Sequence, residues 1–175
     1  MTNFFIIPGY QGSGPDHWQS WLENTQPNFR RIHQKDWNSP DIDEWAENID
    51  NAISGAGDNM VILVAHSLGC HAVAHWAKRY RRTIGAALLV APPDIDLISR
   101  KVNAQLFEVP PLWQLPFRST VVASSNDPWI DINKAELYAR KWGSDFLNIG
   151  DAGHINHLSG HGEWRQGLEL LRRIG

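Results

Sequence analysis

Residues 60–65 read Met-Val-Ile-Leu-Val-Ala, and no other stretch limits the folds open to this chain so tightly. Both faces of an extended strand with this sequence are apolar, so the strand has to be buried on both sides, as the central strands of parallel sheets are. It leads directly into a stretch of helical period, with Leu68, Ala72, Ala74, Trp76 and Ala77 on a helix that reaches Tyr80. A buried strand followed at once by a helix is the repeating unit of an α/β fold.

The same alternation runs along the rest of the chain. Short apolar runs predict strands at 4–7, 84–90, 120–123 and 146–149, with an edge-like strand around 30–33. Helical period predicts a short helix around 18–22, one carrying Ile42, Trp45, Ile49 and Ile53 that ends near Gly55, one carrying Ala135, Leu137, Tyr138 and Trp142, and a closing helix with Trp164, Leu168 and Leu171. Ser39-Pro40 reads as an N-cap followed by proline at the first helical position, and Asp131 as the cap of a later helix. Residues 92–116 break the rhythm. Their prolines and the apolar Leu106, Phe107, Val109, Leu112, Trp113 and Leu115 predict a small cap over a site instead of a second domain. At 175 residues, 42% of them hydrophobic, the chain has enough for one core, so 1–175 is expected to be a single α/β domain with a mostly parallel central sheet flanked by helices.

Composition removes several function classes. Sixteen basic and 19 acidic side chains, a net charge of -3, form no basic stripe that could follow a phosphate backbone, so no nucleic-acid partner is expected. The apolar run before Pro8, Phe4 to Ile7, is only four residues long, too short for a signal peptide or a spanning helix, so no membrane partner is expected either. The single cysteine, Cys70, allows neither an internal disulfide nor a cysteine-based zinc site, which fits a reducing cytoplasm. Nine tryptophans are scattered without a period and are expected in the core or in pocket walls.

Three loops carry the chemistry. Ala65-His66-Ser67-Leu68-Gly69 lies between the buried strand and its helix, where a nucleophile elbow presents a serine on a sharp turn and needs small residues two before and two after it. Ala65 stands where the strict pattern has glycine. The turn puts the hydroxyl at a helix N-terminus, where backbone N–H groups favour developing negative charge. The Leu68 N–H is expected to supply half of an oxyanion hole and the Tyr10 N–H the other half, because Pro8 has no N–H to give. Ser124-Ser125-Asn126-Asp127-Pro128 places an acid after the 120–123 strand, and Gly150-Asp151-Ala152-Gly153-His154 places an imidazole after the last strand. Taken alone, these are a helix-capping serine, an Asp-Pro turn and a surface histidine. Together they give Ser, Asp and His in the chain order of the α/β-hydrolases, each at the end of a different strand.

Other residues compete for a role. Asp151 is the rival to Asp127 as the acid that orients the imidazole, but it is so near in sequence that reaching the far ring nitrogen is awkward. His154, His157 and His161 with Glu163 resemble a metal-ligand pattern, yet no helix is expected to give them a shared face, so no metal is assigned. His71 and His75 read as structural or surface residues, while Gly9, His17, His66, Trp113 and Trp129 are candidate pocket residues. The rival function is a non-catalytic hydrolase fold that serves as a binding or protein-interaction module, although a pure binder has no need of all three triad residues.

The motifs together resemble a known family. The 4–7 strand followed by Pro-Gly-Tyr-Gln-Gly-Ser-Gly and His17-Trp18, then Val-Ala-His-Ser-Leu-Gly-Cys, Ala-Ser-Ser-Asn-Asp-Pro and Ala-Gly-His-Ile-Asn, is similar to the small serine hydrolases of the retinoblastoma-binding protein 9 and YdeN type. The match runs from about residue 4 to about residue 165. The resemblance implies a compact α/β-hydrolase without a large lid, a triad of Ser67, Asp127 and His154, no cofactor, and a small-molecule acyl substrate of unspecified identity. It carries no expectation of a retinoblastoma-type partner, and oligomeric state is not legible.

Overall fold

The computed structural model describes residues 2–174, so Met1 and Gly175, the ends of the expected 1–175 domain, lie outside the described residues. Six strands, β1 (Thr2–Ile7), β2 (Phe29–Arg31), β3 (Met60–His66), β4 (Ala86–Val90), β5 (Arg118–Ala123) and β6 (Asp145–Asn148), form one sheet in the order β2-β1-β3-β4-β5-β6. Every neighbouring pair is parallel. Helices α1 (Trp18–Thr25), α2 (Ile42–Gly55), α3 (Leu68–Tyr80), α4 (Ile95–Val102), α5 (Ile132–Trp142) and α6 (Arg165–Ile174) connect and flank the strands, with a short 3-10 turn at His157–Ser159.

The double apolarity of β3 has the expected cause. Leu63 and Ala65 face a core shared with α2, α3, α5 and the 95–115 segment, where Trp45, Trp76 and Trp142 are fully enclosed. Ile62 and Val64 face the opposite core, built with Trp18 and Leu22 of α1 and with Trp164, Leu168 and Leu171 around α6. A polar residue on either side of this strand would lose water without gaining a partner, at roughly 1–3 kcal/mol.

Two features differ from the expectations. The cap of α2 is Asp41 and not Ser39, because the Asp41 carboxylate accepts from the N–H groups of both Asp43 and Glu44 at 3.1 Å and puts negative charge at the helix's positive end. Ser39 instead belongs to a turn in which its N–H donates to Asp36 Oδ1 at 3.3 Å.

The 92–116 segment contains a helix, α4, capped by Asp94, whose side chain accepts from Asp96 N–H at 2.9 Å. The segment is anchored on the flank of α3 and α5: His71 Nε2–H donates to Pro93 O (2.8 Å), Trp113 Nε1–H to Ala74 O (3.1 Å) and Trp142 Nε1–H to Pro111 O (2.7 Å). These anchors pack it against the α3 and α5 side of the sheet.

Candidate active site

Parallel pairing brings the three loops to one rim. Ile7 is level with Ala65, His66 with Val90, Val90 with Val122, and Ala123 with Asn148, so the segments that follow β1, β3, β5 and β6 leave the same edge of the sheet. Open α/β sheets bind ligands at this edge, beyond the C-terminal ends of their strands.

Ser67 occupies the single position between β3 and α3, with φ 55° and ψ -129°, a conformation L residues rarely adopt. So sharp a turn needs neighbours without side chains. A Cβ on Gly9 would lie 2.8 Å from Ser67 Cβ and 2.9 Å from Leu68 N, and one on Gly69 would collide with Ile7 O and sit 2.8 Å from Pro8 O. The departure at Ala65 is accommodated because its methyl is part of the α2–α3 core, away from the turn.

The three side chains meet. His154 Nδ1–H donates to both oxygens of Asp127, at 3.0 and 2.9 Å, and Ser67 Oγ lies 3.0 Å from His154 Nε2. A carboxylate only accepts, so it fixes the ring proton on Nδ1 and leaves the Nε2 lone pair facing the hydroxyl. All three residues are buried, and the Asp127 side chain is fully enclosed and also accepts from the Trp129 N–H at 2.9 Å. Asp151, the rival acid, is exposed.

The candidate oxyanion donors sit beside this cluster. Leu68 is the first residue of α3, so its N–H belongs to the helix turn that has no intrahelical acceptors. Gln11 and Gly12 donate to Trp37 O and Gly9 O, whereas the Tyr10 N–H has no backbone acceptor among the described residues. Of the pocket candidates, Gly9 packs against the Ser67 turn, Trp129 has its ring 6.2 Å from that of His154, and His66 has its ring 5.0 Å from it.

Trp113 is a correction. It lines a groove of about 720 Å³ with Asp41, His75 and Phe107, and none of Ser67, Asp127 and His154 borders that groove. Its indole is drawn there by its bond to Ala74 O on α3 and by Lys78, whose ammonium lies 5.3 Å over the ring.

Two other histidines, His75 and His161, have partners outside the cluster. His75 pairs with Asp43 at 2.8 Å, and His161 Nδ1 lies 3.1 Å from Ser159 Oγ. Among the described residues, no group of three or more His, Cys, Asp or Glu side chains is arranged to hold a metal ion. His17 is buried, accepts from the Gln19 N–H through Nδ1, and leaves Nε2 without a partner. Burial, followed by the nearby His157 and Arg31, pushes its pKa down to about 3, and burial also drives that of His66 well below the ordinary value.

Sequence reasoning missed the residues that brace the loops. Asn126 Oδ1 accepts from Gly153 N–H at 2.7 Å, and Ser124 Oγ accepts from Ala152 N–H at 2.9 Å, which ties the acid loop to the histidine loop. From another direction, Trp18 Nε1–H donates to Ile155 O at 2.9 Å. The Ser-Ser-Asn run was visible as a motif, but nothing in the sequence shows which carbonyl a tryptophan 137 residues away will reach.

Comparisons with known proteins agree with this architecture. The YdeN protein of Bacillus subtilis is 22% identical over 164 residues, covering 86% of this chain and 84% of its own. Its crystal structure superposes with a TM-score of 0.82 at 18% identity, covering 99% of this chain and 98% of that one. A YdeN-like protein from Pectobacterium atrosepticum gives a TM-score of 0.86 at 30% identity, over 99% of this chain and 90% of that chain. An esterase from Thermogutta terrifontis shares the fold, with a TM-score of 0.66 at 15% identity over 99% of this chain and 90% of that one. The model of the family described as serine hydrolase matches residues 4–173. The chain belongs to the serine hydrolase family.

Proposed function

We propose that the protein cleaves an ester or related acyl bond of a small molecule through an acyl-enzyme intermediate, with Ser67 as nucleophile, His154 as base and Asp127 as the group that holds the base. The observation that carries this reading is the continuous hydrogen-bond line from Asp127 through both nitrogens of His154 to Ser67 Oγ, 3.0 Å at its last step. As Ser67 Oγ attacks the carbonyl carbon, its proton passes to His154 Nε2, and the buried Asp127 carboxylate stabilises the imidazolium that forms. The Leu68 and Tyr10 N–H groups receive the oxyanion, each worth about 3–4 kcal/mol of transition-state stabilisation in such sites. The proton on Nε2 then goes to the leaving group. A water deprotonated by the same nitrogen attacks the acyl-enzyme and frees Ser67.

The residues around Ser67 supply this chemistry from the chain alone, without a cofactor. Trp129 borders the site with aromatic surface, which favours an apolar acyl or aromatic group over a sugar. Cytoplasmic residence belongs to the same proposal and is supported by Cys70, which is buried and unpaired. No helix among the described residues is long and apolar enough to cross a membrane.

Turnover of p-nitrophenyl esters of increasing acyl length tests the reading. Saturable hydrolysis that depends on Ser67 supports it. No hydrolysis at any length by folded protein contradicts it and points to the binding module.

A further inference from the structure

His154 sits between two residues in the left-handed region, Gly153 at φ 57° and Ile155 at φ 46°. Glycine adopts that conformation freely, whereas a β-branched residue is strained in it, so the Ile155 turn needs external support. Two side-chain donors from other elements supply it. His66 Nε2–H donates to the carbonyl of His154 at 2.9 Å, and the Trp18 indole N–H donates to the carbonyl of Ile155, also at 2.9 Å.

The donors form one buried wall. The rings of Trp18 and His66 lie 5.9 Å apart, and the His17 ring packs 5.4 Å from the first and 4.7 Å from the second. Ile155 itself is fully enclosed in the core that contains Trp18 and Trp164. A carbonyl only accepts, so His66 carries its proton on Nε2, and burial keeps that ring neutral in the one tautomer that can make the bond. Because His66 immediately precedes Ser67, its bond ties the main chain of the imidazole to the turn that carries the hydroxyl.

We propose that Trp18 and His66 are positioning residues that clamp the 154–155 main chain in its strained turn and thereby hold the imidazole within reach of both Ser67 and Asp127. Neither ring needs to touch the substrate. The proposal rests on the reading of Ser67, Asp127 and His154 as the catalytic group. Loss of a clamp bond lets the turn relax, and a displacement of about 1 Å at a reacting group lowers turnover by about 100-fold.

The test compares His66→Leu, His66→Gln, Trp18→Phe and Ser67→Ala with the wild type on p-nitrophenyl acetate, across about pH 5 to 9, with the thermal midpoint measured for each. Glutamine places an amide nitrogen as many bonds from the main chain as Nε2, so it can still donate. The expected result is a kcat lowered about 10–100-fold in His66→Leu and in Trp18→Phe, with KM within about twofold and the pH profile displaced, and most of the loss recovered in His66→Gln. A purely structural role would lower the thermal midpoint and leave kcat, KM and pH profile in place. That outcome in either folded variant, with Ser67→Ala inactive, overturns the clamp and leaves the triad standing. An active Ser67→Ala overturns the triad reading and the clamp with it. If His66→Leu does not fold, Trp18→Phe decides on the same criteria.

Discussion

Ser67, Asp127 and His154 bear unequal parts of the proposed chemistry, and substitutions separate them. Ser67→Ala removes the nucleophile but no packing atom beyond the hydroxyl, so kcat is expected to fall about 10⁴-fold or more with the thermal midpoint unchanged. Asp127→Asn keeps the shape of the side chain but places a donor against His154 Nδ1, which favours the tautomer unable to accept from serine. A loss of about 10⁴-fold in kcat is expected, and near-normal turnover would remove Asp127 from the mechanism. At Gly9 an added methyl would fall 2.8 Å from Ser67 Cβ and 2.9 Å from Leu68 N, so Gly9→Ala should impair esterase activity more than it impairs folding. Ser67, Asp127 and His154 could be singled out in the sequence because each lies in the turn or loop that follows an apolar run, and the end of a parallel strand is a place that pattern can locate. The clamp could not, since Trp18 reads as one more core tryptophan until the position of Ile155 O is known.

At the scale of elements, the helices were found by period and misplaced where capping chemistry decides. Ser39-Pro40 matched a capping pattern, but the carboxylate of Asp41 stands where it reaches two free N–H groups, and a charged acceptor prevails there over a hydroxyl two residues earlier. Asp41→Ala is therefore expected to destabilise the protein by about 1 kcal/mol in denaturant unfolding, and Ser39→Ala by much less. Equal losses would mean that the cap is not where the bonds place it. α4 escaped the sequence reading because only Ile95 and Ile98 are buried in its eight residues, too few for a period to register against the surrounding prolines. Long-range bonds such as Trp142 Nε1–H to Pro111 O settle where the 92–116 segment lies, and local composition does not encode them.

For the molecule as a whole, the buried histidines make stability depend on pH. An unfolded imidazole takes up its proton near pH 6.5, whereas burial holds His71 down to about 4 and His17 down to about 3. Between those values the unfolded chain binds more protons than the folded one, so stability declines as pH falls below about 6.5, by up to about 1.4 kcal/mol per pH unit for each imidazole, and the decline from His71 ends near its folded value. Thermal unfolding followed from neutral pH to about pH 4.5 should show this slope, and His71→Gln, which keeps a donor for Pro93 O, should reduce it. An unchanged slope would mean that His71 titrates normally in the fold.

The same packing that excludes water from these imidazoles brings three distant loops together, and the proposed catalysis depends on that convergence making one serine reactive. Labelling the protein with a fluorophosphonate and locating the adduct by peptide mass spectrometry tests it most directly. A single adduct on Ser67 is expected, lost when His154 is replaced by alanine. Folded protein that takes up no label, or carries it on another residue, would contradict it.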